Sequence, residues 1–205
     1  MTATEQTLFR ASFAVRLRDD FSGEAYLVDT TKVFIMEDGR TALQNPSRFH
    51  VFTGVTMTNV TIRVENKFYF PQETGVNIPG LDTRNPVAAV TMKPNYLYPF
   101  PATSTLVRGV VLGPGNSPVE NAQVSIAGST VTNASEADGR FVLYLGPLEE
   151  KDIAVVGNRR FLKIGGVTAI DLNVTHPAFQ PKTAAIGTIP EGGLKLLTTP
   201  IVLNP

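Results

Sequence analysis

The chain reads as an all-β protein built from two tandem antiparallel β-sandwich modules. Three observations predict this. Apolar residues alternate with polar ones almost throughout, turn residues recur at roughly ten-residue spacing, and a proline-rich break falls near the middle.

The alternation begins at Phe13, Val15 and Leu17, interleaved with Ala14 and Arg16, and Asp19-Asp20 and Ser22-Gly23 break it. Val33 and Ile35 follow, closed by the turn Glu37-Asp38-Gly39; then come Phe49, Val51 and Val55. Val60, Ile62 and Val64 put Thr61, Arg63 and Glu65 on the opposite face. Side chains of a strand project alternately to its two faces, so this pattern suits strands with one buried side. No stretch has helical periodicity; Pro147 to Asp152 could make no more than one turn.

The module boundary is expected at residues 92–105, MKPNYLYPFPATST, giving domains over 1–93 and 105–205 with a connector over 94–104. Pro94, Pro99 and Pro101 lack backbone donors and favour extended backbone, so the connector should be semi-rigid. Tyr96, Tyr98 and Phe100 are unusual in a free linker and are expected to pack on one or both modules.

A weak repeat spans the connector. Val15-Arg16 matches Val107-Arg108, and Arg48-Phe49-His50-Val51 matches Arg140-Phe141-Val142-Leu143 at the same offset. Ile62-Arg63-Val64 then matches Leu172-Asn173-Val174, and Phe70-Pro71 is echoed by Gln180-Pro181. The growing offset implies an insertion in the second module, placed at Gly146 to Gly166 as an added hairpin.

Within the second module, Val107, Gly109 and Val111 form a first strand and Gly113 to Pro118 a turn. Ala122 to Ile126 forms a second strand, and Asp138-Gly139 a turn into Phe141. This order of V-x-G-x-V strand, G-x-P turn, A-x-V strand and D-G-x-F turn resembles the carboxypeptidase regulatory-like family. The resemblance implies a sandwich of transthyretin-like or immunoglobulin-like type without zinc or catalytic residues of its own. The first module resembles a diverged copy, with Asp20-Phe21-Ser22-Gly23 in its first turn. Related pilin-type sandwiches carry Lys–Asn isopeptide bonds that need a lysine in the first strand. Val107 to Val111 has none, so no such crosslink is expected in the second module.

Composition narrows the function. Lys+Arg 18 balances Asp+Glu 18, so the basic excess of a nucleic-acid binder is missing. Cysteine is absent, which removes thiolate chemistry and disulfides. His50 and His176 have no ligand-spaced partner and are expected to be bland, His50 at a surface or an interface. Glu149, Glu150 and Asp152 beside Lys151 read as a solvated loop, and no nucleophile elbow, P-loop or dinucleotide motif occurs. No enzyme activity, metal or cofactor is expected. Asn59, Asn133 and Asn173 open glycosylation sequons, expected to be chance matches. No export signal is read in Met1 to Leu17 and no apolar run would span a bilayer, so a cytoplasmic protein or a part of a released particle is expected.

The favoured reading is a non-catalytic docking subunit of an assembly, with protein subunits, copies of itself included, as partners. Its overall look resembles accessory components of phage tails and contractile injection systems. Expected contact residues are Tyr96, Tyr98 and Phe100 of the connector and Leu196, Leu197, Ile201 and Leu203 of the apolar tail, which suits pairing with a sheet edge at home or on a neighbour. The alternative is a carbohydrate-binding or cell-surface adhesion module using Tyr69, Phe70, Tyr96 and Tyr98; the absence of Trp counts against it.

Overall fold

A computed structural model describes residues 11–24 and 30–205. The chain divides into two compact units, Met1–Pro94 and Asn95–Pro205. Residues 1–10, part of the segment read above for an export signal, lie outside the described residues. Both units are β-sandwiches, and no helix among the described residues is long and apolar enough to cross a membrane.

The first unit opens with β1 (Ala11–Asp19), then β2 (Lys32–Ile35), β3 (Leu43–Gln44), β4 (His50–Thr53), β5 (Asn59–Glu65), β6 (Gln72–Asn77) and β7 (Val87–Met92). One sheet has the order β3-β4-β1-β7 and the other β2-β5-β6. Period-2 alternation sends Phe13, Val15 and Leu17 from β1, and Val60, Ile62 and Val64 from β5, into the core. Phe13 and Phe52 stack there with ring centroids 4.9 Å apart. Each such side chain contributes about 1.5–3 kcal/mol by leaving water.

The second unit contains β8 (Thr105–Leu112), β9 (Gln123–Ile126), β10 (Thr132–Ala134), β11 (Arg140–Leu145), β12 (Ile153–Val156) and β13 (Arg159–Leu162). It continues with β14 (Ile170–His176), β15 (Phe179–Gly187), β16 (Leu194–Leu196) and β17 (Ile201–Val202). One sheet runs β11-β8-β16 with β17 also on β8, the other β10-β9-β14-β15, and β12-β13 stands as a separate hairpin. A single core gathers Val107, Phe141 and Leu143 from one sheet with Val124, Leu172 and Val174 from the other. The hairpin lies inside the segment where the repeat demanded an insertion, and residues 147–152 hold only the 3-10 turn Glu150–Asp152.

The sheets are not purely antiparallel. In each unit the last strand returns beside the first in parallel: β7 on β1, and β16 and β17 on β8. Side-chain periodicity is the same for both pairings, so the sequence pattern could not separate them.

The two units share the arrangement of their central strands, but β3 joins the sheet of β4 and β1 whereas β10 joins that of β9 and β14. The register of the repeat needs one correction. Val15 pairs with His50 across β1 and β4, and Val107 pairs with Leu143 across β8 and β11. His50 therefore occupies the place of Leu143, one residue away from the match with Val142. A one-residue slip turns every side chain to the other face. Hence His50 and Phe52 are buried, while Phe49 and Val51 are only partly covered. His50 is a core residue rather than a surface one, and burial holds its imidazole below the ordinary histidine value.

Buried polar groups tie the turns. Asp19, the last inward residue of β1, accepts from the amides of Phe21 (2.7 Å) and Ser22 (3.4 Å) through one carboxylate oxygen. Its other oxygen accepts from the buried Tyr69 hydroxyl at 2.9 Å. In the second unit Ser135 is fully buried; its hydroxyl donates to the Val119 carbonyl (2.6 Å) and accepts from the Ala122 amide (2.9 Å).

Candidate protein-contact surface

The candidate surface is the outer face and free edge of the β11-β8-β16 sheet. On β8 the inward residues are Val107, Gly109 and Val111, so Arg108 and Val110 project outward. Registered pairing aligns Val142, Arg108 and Leu196 across the three strands, and likewise Tyr144, Leu106 and Leu194.

Tyr96 and Phe100 lie over this face. The Arg108 guanidinium sits 4.7 Å from the Tyr96 ring centroid and 5.9 Å from that of Phe100. Arg140 approaches Tyr96 at 4.7 Å, Phe100 packs on Tyr144 at 5.5 Å, and Tyr98 packs on Phe100 at 4.5 Å. Proline at 99 and 101 restricts the backbone that presents these rings. The Tyr96 amide donates to the Glu136 carboxylate at 2.5 Å, which pins the segment to the β10–β11 loop. All three connector aromatics are half-buried.

The tail residues divide. Ile201 and Leu203 are buried in the unit's own core, and Leu197 packs against it. The tail thus pairs at home, with β8, and these three side chains hold it there. Leu196 instead points outward, 54% exposed, with Leu194 beside it at 50%. Large aliphatic side chains left this open on one strand suit a contact face.

Sequence reasoning missed Arg108 and Leu194. The signal for Arg108 was available, because an arginine between Val107 and Gly109 must face away from the core. The Arg108 side chain makes no hydrogen bond or ion pair among the described residues, and its Nε is buried without an acceptor. By contrast Arg140 pairs with Asp138 at 2.5 Å. Between the tail and β15 runs a groove of about 330 Å³, lined by Lys182, Ala184, Ile186, Lys195 and tail residues 196–201. Lys182 donates to the Val202 carbonyl at 2.8 Å, and neither lysine meets a carboxylate among the described residues.

The remaining candidates have structural duties. The Glu149 carboxylate pairs with Lys151 at 2.7 Å, which lowers the carboxyl pKa and raises that of the ammonium. Arg160 bridges Glu191 and Glu150, clamping the β12-β13 hairpin; these two carboxylates raise its pKa. Val155 and Val156 remain exposed on that hairpin. Among the described residues no group of three His, Asp, Glu or Cys side chains could hold a metal. The His176 ring lies 5.2 Å from Phe179, and its Nδ1 accepts from the Ala178 amide at 3.1 Å. Asn133 is buried, its amide donating to the Val142 carbonyl at 3.0 Å, so its sequon is inaccessible in the fold.

No protein-family model matches the chain, and no curated protein matches it either. Among solved structures it is similar to the TIE protein of Bacillus anthracis, at 8% identity and a TM-score of 0.33, covering 94% of this chain and 33% of that one. A streptococcal ancillary pilin matches at 13% identity and a TM-score of 0.27, covering 94% and 62%. A minor pilin of Streptococcus agalactiae matches at 8% identity and a TM-score of 0.27, covering 94% and 95%. The chain thus spans less than two thirds of the first two structures.

Proposed function

We propose that the chain is a non-catalytic docking subunit of a larger protein assembly, engaging its partner through the outer face and free edge of the β11-β8-β16 sheet. The observation that carries this is the pair of half-exposed leucines, Leu194 and Leu196, beside an arginine held between aromatic rings. Aromatic and arginine anchors ringed by apolar area are what binding hot spots are made of. The resemblance of residues 105–145 to the carboxypeptidase regulatory-like family, which brings no catalytic group, points the same way. The particular assembly favoured is a phage-tail-like contractile particle, as a cap, baseplate or decoration component.

Adhesion to carbohydrate is the weaker reading. Tyr69 is buried and bonded to Asp19, so it offers no sugar platform. Size-exclusion chromatography with tail and baseplate proteins from the same source tests the proposal. Co-elution with one of them, lost in a Leu194→Ala, Leu196→Thr variant of unchanged melting temperature, supports it. A chain that stays apart from all of them and is retained by a glycan column overturns it.

A further inference from the structure

The edge strand β16 has one satisfied side and one open side. Leu106 donates its amide to the Gly193 carbonyl at 2.9 Å, and Leu197 donates to the Arg108 carbonyl at 2.8 Å. Parallel pairing alternates the side toward which successive residues turn their N–H and C=O. Gly193, Lys195 and Leu197 therefore face β8, whereas Leu194 and Leu196 turn both backbone groups away from it. No strand among the described residues pairs with that side. An unpaired row of this kind is a template for an added strand.

What surrounds the edge specifies the strand. Its outer face carries the Leu194 and Leu196 side chains, and cross-strand neighbours on that face would gain apolar contact. Its inner face opens on the groove of about 330 Å³, where Lys182 and Lys195 stand without carboxylate partners among the described residues. Nearby acid is already committed, since Glu191 pairs with Arg160. An incoming strand meets leucines at one set of alternate positions and lysines at the other.

We infer that the free edge of β16 takes an extended segment of a partner protein as an added strand, with apolar residues over Leu194 and Leu196 and acidic residues facing Lys195 and Lys182. This rests on the docking reading above and names the kind of segment docked. Main-chain bonds would supply affinity, and the alternating leucine and lysine rows would supply selectivity.

The probe is a labelled synthetic octapeptide alternating Val and Glu, titrated against the full chain by fluorescence anisotropy. Its counterpart alternates Val and Lys. A third peptide keeps the Val–Glu sequence but is N-methylated at alternate amides to block strand pairing. Saturable binding of the first alone, weakened by salt, is the expected result. Leu196→Pro removes an outward-facing backbone donor together with the leucine side chain, breaks no bond to β8, and is tolerated on an edge. It should weaken binding about tenfold or more, with the melting temperature unchanged. Lys195→Glu should weaken the acidic peptide and admit the basic one, and it remains informative if the proline variant fails to fold. Equal binding of all three peptides, no binding of the first, or an unaltered preference in Lys195→Glu overturns the inference. If Leu194→Ala, Leu196→Thr still abolishes co-elution while no peptide binds, the docking surface stands and strand addition falls.

Discussion

In the first unit the closing strand β7 runs unbroken beside β1, from Ala14 paired with Val87 to Asp19 paired with Met92. In the second, β8 is closed by two short pieces, β16 and β17, with Leu197 to Pro200 between them. The outward residues of β7 include Ala89 and Thr91, small or polar and exposed; those of β16 are Leu194 and Leu196. Arg16 on β1 lies in open solvent, whereas its counterpart Arg108 is held between Tyr96 and Phe100. The same parallel closure thus carries an ordinary solvated edge in one unit and an apolar, aromatic-flanked edge in the other. Topology alone needs neither the leucines nor the clamp, so the second unit's edge is where a contact role is to be sought.

The largest expected difference between the units lies in their Asp-Gly turns. Gly139 has a φ of +78°, and a Cβ there would be driven into the Val111 carbonyl oxygen. Gly39 has a φ of +70° with open space around it. Gly139→Ala should cost about 4 kcal/mol, through steric overlap added to left-handed strain. Gly39→Ala should cost only about 1 kcal/mol. Urea unfolding of both variants checks this, and equal costs would mean the Gly139 turn can shift to make room.

A smaller contrast concerns the buried hydroxyls. Ser135→Ala strips partners from two backbone groups, the Val119 carbonyl and the Ala122 amide, and should cost the second unit about 2–3 kcal/mol. Tyr69→Phe removes one hydrogen bond from Asp19, whose other oxygen keeps its two amides, and should cost the first unit about 1–2 kcal/mol. Hydrogen exchange read strand by strand shows whether each loss stays within its own unit.

Much of this was legible in the sequence. Alternation located β1, β2, β5 and β8 because a half-buried strand leaves a period-2 trace, and Asp138-Gly139 announced the turn into β11. The segment 146–166, to which the offset between repeats assigns an insertion, holds the β12-β13 hairpin. What stayed hidden depends on pairing, which leaves no trace within a single strand. The parallel return of β7 and β16 is one example, and the face of β4 is another. Phe49 and Val51 look like its buried pair, yet His50 and Phe52 are, because the strand is set by its register with β1. Among the contact residues, Ile201 and Leu203 looked as available as Leu196, and only the pairing of the tail with β8 turns the first two inward.

The register of β4 also gives the first unit a pH response. His50 takes the place that Leu143 holds in the second unit, and burial lowers its folded-state pKa below the ordinary value of about 6.5. With the folded pKa depressed, the unfolded chain binds more protons there as pH falls. Its contribution is present above the ordinary histidine value and is lost as pH drops from there toward the folded pKa. Between about pH 7 and pH 5, the protection of the β1 and β4 amides against exchange, taken relative to the intrinsic rate at each pH, should therefore fall more than that of the β8 and β11 amides. His50→Leu, which copies the second unit at this position, should remove that extra loss of protection. An unchanged pH profile in His50→Leu would assign the sensitivity to other groups of the first unit and leave His50 as packing alone.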